Sequence, residues 1–307
     1  MRVLVTGGAG FKGCVIADRL RAAGHDVTVF DLLRYGEGPG LAMLRQGIRV
    51  IRGDVTVPEM VATEVAKHDA VVHLAGLVGF PLCEAEPMMA DEVNVNGTRN
   101  VVEAMRPDQL LVYASTGSVY GRVDGLCKED RVPAPLTRYG RTKLAGEQIA
   151  LDFGGISLRF ATVVGVSPCM RFDLMLNAFV YRAVHIGWMV LYQPDDRRSF
   201  LDVGDAADSY LFALDHYVGM AGQVFNVGDP NLNLTKRQVA EAVQEQFPMR
   251  VIYEDVASDP DERDYDVSFE KIRSIGFKAR IPIADSIRAI GDAARLNTGE
   301  AMWRFRP

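Results

Sequence analysis

Short apolar, β-branched runs alternate with stretches of helical spacing through the first 160 residues, and that alternation limits the fold more than any other feature of the chain. Residues 2–6, 26–30, 48–52, 70–74, 110–114 and 156–160 read as strands. Residues 15–23, 93–105 and 139–151 carry apolar positions at helical spacing, with Gly24 stopping the first and Pro107 following the second. A strand that is apolar throughout has both faces covered, as in a parallel sheet layered between helices. The fold class expected is α/β, with a doubly wound parallel sheet.

After about Gly165 the pattern loosens. Residues 167–172 and 193–199 read as loops, 174–186 and 205–216 as helices, and 224–227 as a strand. Thr235 caps a helix expected to run through 247, with Gln238 three residues on to complete a capping box. The division expected is a first domain over 1–165 and a smaller C-terminal substrate domain over 166–307, with some segments returning to the first.

Composition excludes several function classes. The 307 residues carry 34 basic and 40 acidic side chains, a net charge of −6 in no large block, so a nucleic-acid partner is not expected. The four cysteines form no CxxC pair and the five histidines are scattered, so neither a metal site nor a disulfide framework is expected. No apolar run approaches membrane-spanning length, and a strand pattern starts at Arg2. A cytoplasmic protein without a membrane partner is the expectation.

The turn after the first strand, Thr6-Gly-Gly-Ala-Gly-Phe-Lys-Gly13, places Gly7, Gly10 and Gly13 at GxxGxxG spacing. Such a turn brings backbone close to a ligand and opens a helix whose free N–H groups suit a pyrophosphate. Phe11 and Lys12 lie inside it; Lys12 is either a phosphate contact or a side chain snorkelling from a helix start. Asp31, followed by Leu32, ends the next strand 18 residues past Gly13, where a carboxylate accepts from both ribose hydroxyls. Asp54 and Val55 follow the third strand, in position for the adenine edge. Asp31 would repel a 2′-phosphate, so NAD is the cofactor expected; nearby Arg34 keeps NADP open.

Tyr139-Gly-Arg-Thr-Lys143 puts a phenol and an ammonium on one helical face. A phenol with a pKa of about 10 needs such a neighbour to act as a base near neutrality. Ser115-Thr-Gly-Ser-Val-Tyr-Gly121 follows a strand some 20 residues upstream and offers a hydroxyl to the same reacting oxygen.

Together TGGAGFKG, Asp31, GDV, HLAG, NVNGT, STGSVYG and YGRTK resemble an extended short-chain dehydrogenase/reductase with a Rossmann domain. More narrowly they resemble its nucleotide-sugar epimerase/dehydratase branch, typified by UDP-galactose 4-epimerase. The likeness runs from Arg2 to about Ile290, through LRFATVVG, RSFLDVGD, FNVG and RDYDVSFEKIRSIGF. LVGFPLC and SPCMRFDLMLNAFVYRA are similar to enzymes acting at C4 of nucleotide-linked hexoses and heptoses.

The resemblance implies Tyr139 as general base and acid, Lys143 on the nicotinamide ribose, and Thr116, four residues before the Tyr of VYG, on the sugar hydroxyl. It implies Leu74, Ala75, Gly76 and Leu77 along the cofactor and Asn94 beneath it. Arg198, Arg263 and Asn177 would meet the sugar-nucleotide diphosphate. It also implies a homodimer packed through two helices, with Val101, Val102, Met105, Leu144 and Ile149 as either its apolar face or ordinary core. Two positions depart from the family: Thr162 replaces Asn in the LRxxNVYG stretch, and Lys12 replaces the apolar residue of GFIG. The reaction expected is NAD-dependent inversion at C4 of an NDP-hexose or NDP-heptose through a 4-keto sugar. A one-way C4 dehydrogenase or reductase and a non-catalytic NAD-binding regulator are the alternatives. Gly117 and Ser118 stand where 4,6-dehydratases carry an Asp-Glu pair, which disfavours loss of water; Asp124 is a nearby carboxylate of unknown reach.

Overall fold

The computed structural model describes residues 1–123, 125–254 and 266–297. Its first half runs β1 (Arg2–Thr6), α1 (Phe11–Ala22), β2 (Asp26–Asp31), α2 (Gly38–Arg45), β3 (Arg49–Arg52), α3 (Pro58–Val65), β4 (Ala70–His73), α4 (Phe80–Ala85), α5 (Pro87–Asp91), α6 (Gly97–Ala104) and β5 (Leu110–Thr116). There follow β6 (Leu126–Cys127), α7 (Arg138–Asp152), β7 (Ile156–Phe160), β8 (Thr162–Val164), α8 (Met175–His185), β9 (Trp188–Tyr192), β10 (Arg197–Asp202) and α9 (Val203–Asp215). The remainder is α10 (Tyr217–Met220), β11 (Val224–Val227), β12 (Asn233–Thr235), α11 (Lys236–Gln244), β13 (Arg250–Glu254), β14 (Asp266–Val267), α12 (Glu270–Ser274) and α13 (Ile283–Arg295).

Seven strands form one sheet in the order β11-β7-β5-β4-β1-β2-β3, every pair parallel. The strands are apolar because each feeds two cores. Val3 and Val5 pack with Ile16, Leu20 and Tyr210 on one face, while Leu4 packs with Val61, Val101 and Leu111 on the other. Strand alternation repeats this along β4 and β5, where Val72 and Val112 face the first layer and Val71 and Tyr113 the second. A separate core joins α8, β9, α11 and α13 through Leu176, Leu191, Val243 and Ile290.

The chain does return across the expected boundary. β11 adds itself beside β7, and α9 lies on α1, tied by Arg19 Nε to Asp208 at 3.0 Å. Four element boundaries differ from the sequence pattern. Residues 193–199 are not all loop: Arg197, Arg198 and Ser199 pair antiparallel with β12, and the same strand continues parallel to β8. The helix expected at 93–105 is broken by a π-helical stretch, Glu92–Asn96, before α6. α9 begins earlier than 205 because Asp202 caps it, accepting from Gly204 N at 2.7 Å. The Thr235–Gln238 capping box forms, but α11 ends at Gln244. Of the residues read as dimer face or core, Val101 and Met105 are buried in the core beside the sheet.

Candidate active site

The turn between β1 and α1 is built from what glycine lacks. Gly7 has φ +67°, and a Cβ there would stand 2.6 Å from Ala75 N; one on Gly13 would stand 2.5 Å from Gly7 O. Those two seat the turn against the loop after β4 and against itself. Gly10 differs: a Cβ would meet only Gly7 O, at 3.3 Å, and would project into open space beside an N-terminus with no side-chain cap. That open cradle at a helix start fits a pyrophosphate. Asp31 is held beside it, its carboxylate accepting from Ala9 N at 3.0 Å and Leu33 N at 2.7 Å, while burial pushes its pKa upward. Asp54 is fixed by Thr56, whose N–H and hydroxyl both donate to Oδ1. These residues fit a dinucleotide laid over β1 to β3.

A cleft of about 1310 Å³ opens over this turn. The structure brings together on its wall Gly7, Gly10, Phe11, Lys12 and Gly13 of the turn, and Asp31, Leu32, Asp54 and Val55 after β2 and β3. Leu74, Ala75, Gly76 and Leu77 follow β4 along it, and Thr116 and Tyr139 close its far end. Thr162, where the family pattern has Asn, lies on the same wall.

The end of β5 and the first turn of α7 position the reacting groups. Thr137 caps α7, accepting from Gly140 N at 3.1 Å, so Tyr139 sits in the first turn. Gly140 and Gly146 let α7 lie close: a Cβ would stand 2.7 Å from Ser118 O or 2.4 Å from the Tyr113 hydroxyl. Thr142 ties the helix sideways, receiving from Asn94 Nδ2 at 2.9 Å. Asn94 itself is fully buried and clasps Leu77, whose N–H donates to Oδ1 at 2.7 Å, so it braces the loop below the cleft. Thr116 Oγ1 accepts from Ser118 N and donates to Ser118 Oγ, both at 3.2 Å. Ser115 Oγ, also on the wall, is buried with no hydrogen-bond partner among the described residues.

Lys143 lies one turn beyond Tyr139, buried, its Nζ 4.1 Å from the Tyr113 ring centroid. Burial pushes its pKa down to about 7, and the charge of Lys12 adds to the fall. His73 lies beneath it, pushed down to about 3 by burial and by Lys143, and is therefore neutral. Its tautomer follows from its partners. Thr98 spends its proton on Asn94 O at 2.7 Å, so it receives from Nε2, and Nδ1 receives from Thr6 Oγ1 at 2.6 Å.

The substrate side differs from expectation. Asn177 does not line the cleft: its Oδ1 accepts from Gly165 N, and Nδ2 donates to Gly165 O and Arg171 O, so the amide shapes the loop instead. Arg198 is buried on β10, Nη1 donating to Arg197 O, and is likewise off the described wall. Arg263 and Asp124 lie outside the described residues. The sequence reading missed Tyr35 and Arg171, which face the cleft, Arg171 in an ion pair with Asp173. Arg171 lies in the stretch MRFDL, where reading a loop gave no direction to its side chains, and Tyr35 lies in the connection between β2 and α2.

Known proteins share this architecture. A family model described as the NAD dependent epimerase/dehydratase family matches residues 3–228. The chain is 29% identical to a dTDP-glucose 4,6-dehydratase of Streptomyces niveus, covering 94% of this chain and 90% of that one. It is 32% identical to a probable UDP-glucuronate 4-epimerase of Rhizobium meliloti over 69% of this chain and 67% of that one. The solved UDP-glucose 4-epimerase of Thermus thermophilus, in complex with NAD, superimposes with a TM-score of 0.82 at 28% identity, covering 96% and 99% of the two chains. With the glycine turn, the Tyr139/Lys143 helix and the parallel sheet in place, the chain belongs to the NAD-dependent epimerase/dehydratase family of extended short-chain dehydrogenases/reductases, enzymes that use NAD as cofactor.

Proposed function

We propose that this enzyme inverts C4 of a nucleotide-diphosphate hexose or heptose. The observation that carries the reading is the acid/base inventory around Thr116. Four carboxylates lie on the described cleft wall: Asp31, Asp54, Glu86 and Glu92. They come from the last residue of β2, the loop after β3 and the region between α4 and α6. None follows Thr116, where Gly117 and Ser118 stand and Ser118 is bound back to Thr116. Removal of water from C5 and C6 needs a carboxyl acid and a base at that place; inversion at C4 needs neither.

The hydride transfer from C4 and back would be supplied by NAD held over the glycine turn, Asp31 and Asp54. Tyr139 removes the C4 hydroxyl proton as the C–H bond breaks and gives it back when the other face is reduced. Thr116 shares that oxygen through its hydroxyl, and the Lys143 ammonium favours the phenolate. Water is kept from the 4-keto stage by the apolar wall of Leu77, Phe160 and Ala161. The homodimer implied by the family likeness would pair α6 and α7, with Val102, Leu144 and Ile149, partly buried in the single chain, as its apolar face.

A panel of UDP-, dTDP- and GDP-sugars assayed by NMR and mass spectrometry tests the reading. The expected product has unchanged mass and an inverted hydroxyl, with no net gain of NADH. A product lighter by one water overturns it, and lasting NADH formation supports the dehydrogenase alternative.

A further inference from the structure

Lys12 is out of place in a turn that otherwise offers glycine and apolar side chains. It is the second residue of α1, yet its side chain runs into the cleft, half-buried, instead of out to solvent. Its Nζ stands 4.1 Å from the centroid of the Phe160 ring. Phe160 ends β7 and is in register with Thr116 on β5. The ammonium is therefore held at the reacting end of the cleft, not at the Asp31 end. No acidic side chain pairs with it among the described residues, and its contact is with an aromatic face. Lys143 responds to this charge, so both ammonium groups act on the same region.

A ring that must react beside Thr116 and Tyr139 thus binds next to a fixed positive charge. The oxidised nicotinamide is a cation and the reduced one is neutral, while the pyrophosphate is the same in both. We propose that Lys12 sets the redox balance of the bound cofactor, disfavouring the oxidised ring relative to the reduced one. The inference depends on NAD as cofactor and not on which sugar is turned over or whether C4 is inverted. At a separation of several ångströms in a partly desolvated site, one unit charge shifts such a balance by roughly tenfold. The protein thereby becomes a stronger acceptor of hydride than the same fold with an apolar residue at position 12.

The test is equilibrium binding of NAD⁺ and of NADH, measured separately by fluorescence titration on cofactor-free protein. Lys12→Met keeps the stem against Phe160 and removes the charge; Lys12→Arg keeps the charge. The expected result is that Lys12→Met strengthens NAD⁺ relative to NADH by roughly tenfold, and Lys12→Arg leaves the ratio near wild type. If both affinities fall by one factor, Lys12 is a pyrophosphate contact and the proposal is overturned. An unchanged ratio with unchanged affinities overturns it equally. Should Lys12→Met fail to fold, Lys12→Ile gives the same reading with the family's usual side chain.

Discussion

Glu147, one turn beyond Lys143 on α7, is locked to Arg159 of β7 with Nη2 and Oε1 2.5 Å apart and both side chains almost wholly buried. Ser157 donates to the second carboxylate oxygen at 2.8 Å, and the Arg159 guanidinium lies 4.8 Å from the Tyr120 ring centroid. The pair fixes the helix bearing Tyr139 and Lys143 to the strand that ends in Phe160. Removing one partner leaves a bare charge in the core, so Glu147→Ala is expected to lose about 3–5 kcal/mol of stability. Urea unfolding monitored by circular dichroism measures it; a loss below about 1 kcal/mol would show the pair to be dispensable.

Tyr139→Phe keeps the ring that packs against Leu77, Leu82 and Cys83 and removes only the hydroxyl. Turnover is expected to fall by ~10²–10⁴-fold with NAD binding and melting temperature unchanged. Near-wild-type turnover would remove Tyr139 from the chemistry.

Two ammonium groups, Lys143 buried and Lys12 half-buried in the cleft, carry a pH signature. Both titrate at 10.5 in the unfolded chain, but Lys12 falls to about 8 and Lys143 to about 7 in the fold. Between those values the unfolded chain holds more protons, so stability of the cofactor-free protein rises as pH climbs from about 7 towards 10. Below about 7 both states are protonated and the cost of burying the charges is present in full. Thermal melts across this range check the slope, and Lys12→Met should flatten it while raising the melting temperature at pH 7. A profile that falls from pH 7 to 9 in wild type and variant alike contradicts the assignment.

Arg34, the cation nearest Asp31 in sequence, is occupied: Nη2 donates to Glu86 Oε1 at 2.7 Å and Nη1 reaches the Met89 sulfur. The pair links the loop after β2 to the junction of α4 and α5 on the cleft wall. Glu86→Gln releases the guanidinium toward a 2′-phosphate. Because the pair is partly exposed, the preference for NAD over NADP is expected to fall only roughly two- to fivefold. Parallel titrations with both cofactors measure it, and an unchanged ratio would show that Asp31 alone decides.

The sheet was readable because a doubly covered strand leaves no polar residues to confuse the period, as Val3-Leu-Val5 and Ala70-Val-Val72 show. β10 was not, since Arg197, Arg198 and Ser199 look like a loop until their neighbours in β8 and β12 are known. The break before α6 was equally hidden, because nothing in NVNGT marks where a helix takes one extra residue. Cofactor positions were legible through glycine spacing, which backbone geometry dictates. Asn177 could not be placed from sequence, because a buried amide serves backbone as well as it serves phosphate. The direction of Lys12 depends on Phe160, 148 positions away, and no local pattern records that.

β11 has a consequence for how the protein is made. The sixth strand to enter the large sheet, β7, is complete at residue 160, whereas its outer neighbour arrives only at 224–227. While the ribosome is still adding α8 to α9, β7 presents a bare row of N–H and C=O groups with the Leu158 side beside it uncovered. Parallel pairing across such a gap closes slowly, because the long intervening segment from β8 to α10 must be ordered first. A chain released at 165 is expected to be prone to edge-to-edge association, because the outer edge of β7 is covered only once β11 is in place.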